Sequence, residues 1–110
     1  RTVGTQRAKA MFLTAQVIDA QEAHDLGIVH AIHEEDALDA EADALAARLA
    51  EGPTRAFGLG KSMLNRGMDC DFATYLEIEA TAEAHIMQTA DHREAVASFK
   101  EKRPPRFVGS

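Results

Sequence analysis

Tryptophan is missing from these 110 residues, and phenylalanine and tyrosine supply only 5% of them. That excludes a thick aromatic core. Alanine carries much of the 45% hydrophobic content, which favours closely packed helices. Cysteine occurs once, at Cys70, so no intramolecular disulfide framework exists and a reducing, cytoplasmic compartment is expected. Apolar runs never reach membrane-spanning length, so no membrane partner is expected. Cations are outnumbered, and a net charge of −6 argues against a general nucleic-acid binder. An initiating Met is also absent, and Arg1-Thr2-Val3-Gly4 does not read as a signal peptide, so the chain reads as beginning within something longer. The length suits one modest domain and is too short for two.

What is present is mostly helical punctuation. Thr5 is placed to cap a first helix in which Ala8, Met11 and Phe12 form an apolar stripe. Residues 14–18 read as a connector. Asp19 and Glu22 have the spacing of a capping box that opens a short helix, which Gly27 ends. Ile28-Val29-His30-Ala31-Ile32 reads as a short strand, whose partners must lie outside this chain or in another copy.

Asp36 is placed to cap a helix over 37–51 with Leu38, Ala42, Leu45 and Leu49 on one face. Gly52-Pro53 breaks it, and Pro53 suits the first turn of a further helix running to Arg66. Gly58 and Gly60 weaken that helix, so it calls for tertiary support or close packing. A loop over 67–70 precedes the longest expected helix, 71–90. Its apolar arc of Phe72, Tyr75, Leu76, Ile86 and Met87 carries Glu79 and Glu83 at its centre. Either this face is partly wet or a basic partner meets it.

The terminal stretch organises the rest. Asp91 and Glu94 have capping-box spacing, Ala95, Val96 and Phe99 share a helical face, and Pro104-Pro105 forbids further helix. Lys100, Lys102, Arg103 and Arg106 gather cations at the carboxyl end, where they also suit the helix dipole. Phe99 and Lys102 put a ring and an ammonium on one side of the last turn, fit to receive a flat base and a phosphate. From spacing alone, a core phenylalanine beside solvated lysines is the preferred reading.

Other chemistry is thinly represented. His30-x-x-His33, and His85 with His92, lack the convergent third ligand of a catalytic zinc, so no metal site is expected. Cys70 lies in a loop among acidic neighbours, a poor setting for a nucleophilic thiolate. Gly58-x-Gly60-Lys61-Ser62 lacks the spacing and the preceding strand of a phosphate loop. Of the carboxylate pairs, Asp69 and Asp71 read as loop and cap residues. Glu79 with Glu83 is better placed for acid/base work, although an interface role suits that pair better.

The run Thr89-x-Asp91-x-x-Glu94-Ala-x-x-Ser-Phe99-x-Glu101-Lys102-Arg103-x-Pro105-x-Phe107-x-Gly109 resembles the carboxyl end of the enoyl-CoA hydratase/isomerase (crotonase) family. Phe12-Leu13-Thr14-x-x-x-Ile18-x-Ala20-x-Glu22-Ala23-x-x-x-Gly27-Ile28-Val29 is similar to an earlier signature of that family, and Pro53, Lys61 and Glu79 sit where its members tend to have those residue types. Ala15 and Ala95 depart from it, standing where glycine is common, as does Glu83, where an apolar residue is usual.

The resemblance implies a mostly α fold. Residues 1–110 would be the carboxyl-terminal helical, trimerisation and CoA-site-closing region of a crotonase-like α/β fold, without the amino-terminal core that supplies the oxyanion-holding amides and the usual carboxylates. It further implies a coenzyme A thioester as substrate, no covalently bound cofactor, a homo-oligomer (trimer or dimer of trimers), and no catalytic residue within this chain. Phe99 and Lys102 match family positions near the adenine and phosphate end of coenzyme A, often in the neighbouring subunit. A non-catalytic helical protein-interaction module is the alternative, its partner groove marked by Glu79 and Glu83.

Overall fold

The computed structural model describes residues 1–110, which fold into six α-helices: α1 (Gly4–Thr14), α2 (Ala20–Asp25), α3 (Leu38–Ala50), α4 (Thr54–Arg66), α5 (Phe72–Ile86) and α6 (Ala90–Glu101). Contacts divide the chain into two compact units, Arg1–Asp43 and Ala44–Ser110, with the boundary inside α3.

In the first unit, α1 starts at Gly4 behind Val3, with no side-chain cap; Thr5 lies inside the helix. It ends at Ala15, whose left-handed backbone (φ 51°, ψ 39°) lets the Gln16 amide reach back to the Met11 carbonyl. An L-residue with a β-carbon pays roughly 1–2 kcal/mol for that conformation. Asp19 caps α2 as the sequence implies, accepting from the Glu22 amide at 2.8 Å. Gly27 (φ 70°) then makes the same kind of helix end, with the Ile28 amide donating to Ala23. Here glycine supplies the positive φ without steric cost.

Residues 28–32 are not a strand. Ile28 and Val29 donate to the Ala23 carbonyl, completing the α2 end, and residues 31–34 have no regular structure. A strand needs a neighbouring strand to satisfy alternate amides and carbonyls, and the chain has none. At the start of α3, the Glu34 carbonyl accepts from the Ala37 and Leu38 amides. The closing contact there is a backbone turn.

In the second unit, Pro53 occupies the position before α4 and its carbonyl accepts from the Phe57 amide. Helices α4 and α5 pack against each other. The covered positions of α4 are Ala56, Leu59, Gly60 and Met63; those of α5 are Tyr75, Ile78, Glu79, Ala82 and Ile86. Both sets recur at the three- and four-residue steps of a helix face. This differs from the expected arc, for Phe72, Leu76 and Met87 remain exposed. Glu79 is half-buried and Glu83 exposed. Gly58 and Gly60 have open space around them, so no neighbour in the chain supplies the close packing that two helix glycines call for.

The expected helix over 71–90 is shorter. Asp71 caps α5, accepting from the Thr74 amide and hydroxyl, each at 2.9 Å; those bonds hold its carboxyl below the ordinary range. After Ile86 the chain turns, and Thr89 caps α6 in place of Asp91. The Thr89 hydroxyl accepts from the His92 amide at 3.0 Å and donates to the Ile86 carbonyl at 2.7 Å, so one side chain joins both helix ends.

Little of the chain is buried. Ala82, at 6% exposure, is the sole buried apolar residue, joined by Asp91 and Ser98 among the polar ones. The accessible surface is 8830 Å², against roughly 6,000 Å² for a compact monomer of this mass.

Candidate functional site

Two carboxylates on α6 fold the carboxyl-terminal tail back along the helix. Asp91 is only 3% exposed. Its Oδ1 accepts from the Val108 amide at 2.7 Å and its Oδ2 from the Gly109 amide at 2.9 Å. Its own amide donates to the Ser110 carbonyl at 3.1 Å. Gly109 strongly favours glycine, since its φ is 75° and a β-carbon would stand 2.8 Å from Thr54 Oγ1.

One turn further on, Glu94 takes both forks of Arg103, with Nη2 at 3.0 Å from Oε2, and also accepts from the Arg106 amide at 2.8 Å. Bidentate, charge-assisted pairs of this kind fix orientation as well as adding energy. The Arg103 bonds, the Arg106 amide and the nearby guanidinium charges pull the Glu94 carboxyl from 4.5 down to about 2. Arg103, held by Glu94 and Glu101, is raised above its already high ordinary value. The expected capping box of Asp91 and Glu94 is therefore replaced by tail fastening. Both side chains find partners distant in sequence.

Between helix and tail stands Lys102. It terminates α6 in the left-handed region (φ 54°, ψ 40°); its amide donates to Phe99 and the Arg103 amide to Ser98 at 3.1 Å. The expected ring and ammonium are thus close in the chain and both are open to solvent: Phe99 is 86% exposed and Lys102 is exposed. Phe99 is not a core residue. Of the four cations grouped by the sequence, Arg103 is engaged by two carboxylates and Lys102 joins no ion pair. An exposed ring face and an unpaired cation can together receive a planar base and an anion.

The remaining concavities offer less. A cleft of about 760 Å³ between α4 and α5 is lined by Arg55, Ser62, Arg66, Glu77 and His85 among others. His85 Nδ1 is already bonded to the Thr81 carbonyl at 2.7 Å. No group of three His, Cys, Asp or Glu residues converges anywhere in the chain. No helix is long and apolar enough to cross a membrane.

The arrangement is a set of helices with wide apolar exposure and a tail clamped beside a ring and a cation. Comparison with known proteins places it. The enoyl-CoA hydratase/isomerase family model matches residues 1–110, and the chain belongs to that family. A probable enoyl-CoA hydratase of Rhodobacter capsulatus is 38% identical over 109 residues, 99% of this chain and 42% of the relative. The mitochondrial methylglutaconyl-CoA hydratase of Mus musculus is 38% identical over 114 residues, covering 99% of this chain and 36% of its own. The crystal structure of an enoyl-CoA hydratase/isomerase from Cupriavidus metallidurans CH34 superposes with a TM-score of 0.92 at 37% identity, over 98% of this chain and 41% of that one. The fold is the helical part of the crotonase architecture, and the chain spans 36–42% of the length of these relatives.

Proposed function

We propose that this chain is the carboxyl-terminal part of an acyl-CoA hydratase or isomerase acting on enoyl-CoA thioesters. Its role is to build a homo-oligomer, a trimer or dimer of trimers, and to close the coenzyme A site. Phe99 offers its ring to the adenine and Lys102 its ammonium to a phosphate. Residues 1–110 work as one functional region in that reading, carry no catalytic group, need no bound cofactor, and by themselves bind coenzyme A weakly and turn nothing over. A reducing compartment, the cytoplasm, suits the lone Cys70.

The observation that carries the reading is the solvent-facing Phe99, 86% exposed, one turn from the unpaired Lys102 in a chain matched end to end by an acyl-CoA family. One exposed ring on its own is ordinary on a protein surface; what supports the reading is its place beside an unpaired cation. The wide apolar exposure along α1, α4 and α5, including Phe12, Leu64 and Phe72, supports subunit association. The test is Lys102→Ala in an active enzyme carrying this region. Loss of one charge-assisted contact raises KM for an acyl-CoA by about tenfold with kcat little changed. An unchanged KM removes Lys102 from the site.

A further inference from the structure

We propose that Glu94 is a positioning residue for Lys102: by gripping the Arg103 side chain and the Arg106 amide, it holds the left-handed turn that presents the Lys102 ammonium beside Phe99. The inference rests on the reading of Phe99 and Lys102 as the coenzyme A contact and adds what keeps that contact in shape.

The starting point is an oddity of backbone. Three helices end in a left-handed residue: Gly27 after α2, Ala15 after α1 and Lys102 after α6. Glycine is the undemanding residue for that place. Lysine is not, and an L-residue held there persists only where its surroundings determine it.

Those surroundings are unusually complete at Lys102. The residue after it, Arg103, is fixed by both guanidinium forks on Glu94, and the Arg106 amide is bound to the same carboxylate. Asp91, one turn earlier on α6, secures Val108 and Gly109. The tail is thus fastened at two points, and its start directly abuts Lys102. At Ala15 the support is slighter: beside the backbone bond of Gln16 to Met11, one long, neutral-donor contact, Gln16 Nε2 to Glu22 Oε1 at 3.4 Å, holds the residue that follows.

The cations divide accordingly. Arg103 spends four of its five N–H donors on Glu94, Glu101 and the Pro104 carbonyl, and its charge is met by the two carboxylates. Lys102 is left exposed and unpaired. A glycine would make the turn more easily, so a clamp built around a lysine points to a use for its side chain. Arg103 organises, and Lys102 binds.

The test is a protein-observed NMR titration with coenzyme A, run on the protein and on Lys102→Ala, Glu94→Gln and the double variant. The carbon shifts and amide–Hα coupling of residue 102 report its left-handed state in the free protein. Lys102→Ala should weaken coenzyme A by about tenfold. Glu94→Gln should weaken it similarly while residue 102 loses its left-handed signature, and the double variant should bind no worse than Lys102→Ala. Such non-additivity is the mark of a residue acting through another. A residue 102 that stays left-handed in Glu94→Gln, or losses that add, overturns the positioning role and leaves the site reading intact. Coenzyme A binding that Lys102→Ala does not weaken overturns the site reading and this inference together. Should Glu94→Gln lose its helical circular dichroism, Arg103→Gln breaks the same pair from the other side and is read by the same criteria.

Discussion

The Glu94 carboxylate and the Arg103 guanidinium, nine residues apart, meet edge to edge, Nη2 standing 3.0 Å from Oε2 while Nη1 faces Oε1. A pair of this geometry has a titration signature. The folded-state pKa of Glu94 is depressed from 4.5 to about 2, so its contribution to stability is fully present above pH 4.5 and is lost as pH falls toward 2. Carbon-detected titration of the Glu94 carboxyl should give a midpoint near the lower value. Exchange protection of the Arg106 amide should fade in the same window. A midpoint near 4.5 would mean that the pair is open in solution.

Asp91 supports a second prediction. Removing its carboxylate in Asp91→Ala leaves the Val108 and Gly109 amides without acceptors in a part-buried setting, at a cost of about 1–3 kcal/mol. Chemical denaturation read from the α6 signals measures it. Gly109→Ala, which pushes a β-carbon toward Thr54, should free the same tail, visible as faster exchange at Val108.

Ala15→Gly should stabilise the first unit by about 0.5–1 kcal/mol, because the left-handed penalty on a β-carbon exceeds the added flexibility of glycine in the unfolded chain. Thermal melting of the two proteins compares them directly. An equal or lower midpoint for the glycine variant would place the cost of the turn elsewhere.

With 8830 Å² exposed and Phe12, Leu13, Leu64 and Phe72 each more than 70% open, the purified chain should self-associate. Sedimentation over a concentration series should give a mass rising above 12.0 kDa. A monomer that melts cooperatively at every concentration would favour the free-standing interaction module instead.

Much of this architecture is legible from residue order alone, and where it is not, the reason is local. The helices over 38–50 and 54–66 follow from apolar spacing and from Gly52-Pro53, which break the chain wherever it is folded. Asp19 and Asp71 act as caps because their partners lie three residues away, within reach of any local reading. Asp91 and Glu94 have that same spacing signal, yet their partners lie nine to eighteen residues on, and tertiary contact overrides the cap. Thr89 takes the vacated role. The end of α2 could be read because it carries Gly27; the equivalent ends of α1 and α6 carry Ala15 and Lys102, which announce no turn. Residues 28–32 have strand composition, but pairing is a property of two segments, and only one is present here. Phe99 and Lys102 were identifiable as neighbours from spacing, whereas the clamp around them was not, since it depends on the tail doubling back.

The doubled-back tail also governs how the molecule can be handled. Ser110 accepts from the Asp91 amide, and the two residues before it are held by the Asp91 carboxylate. An affinity handle joined after Ser110 therefore emerges from a fastened segment on α6 rather than from a loose end. A short or bulky fusion there would pull on the turn at Lys102.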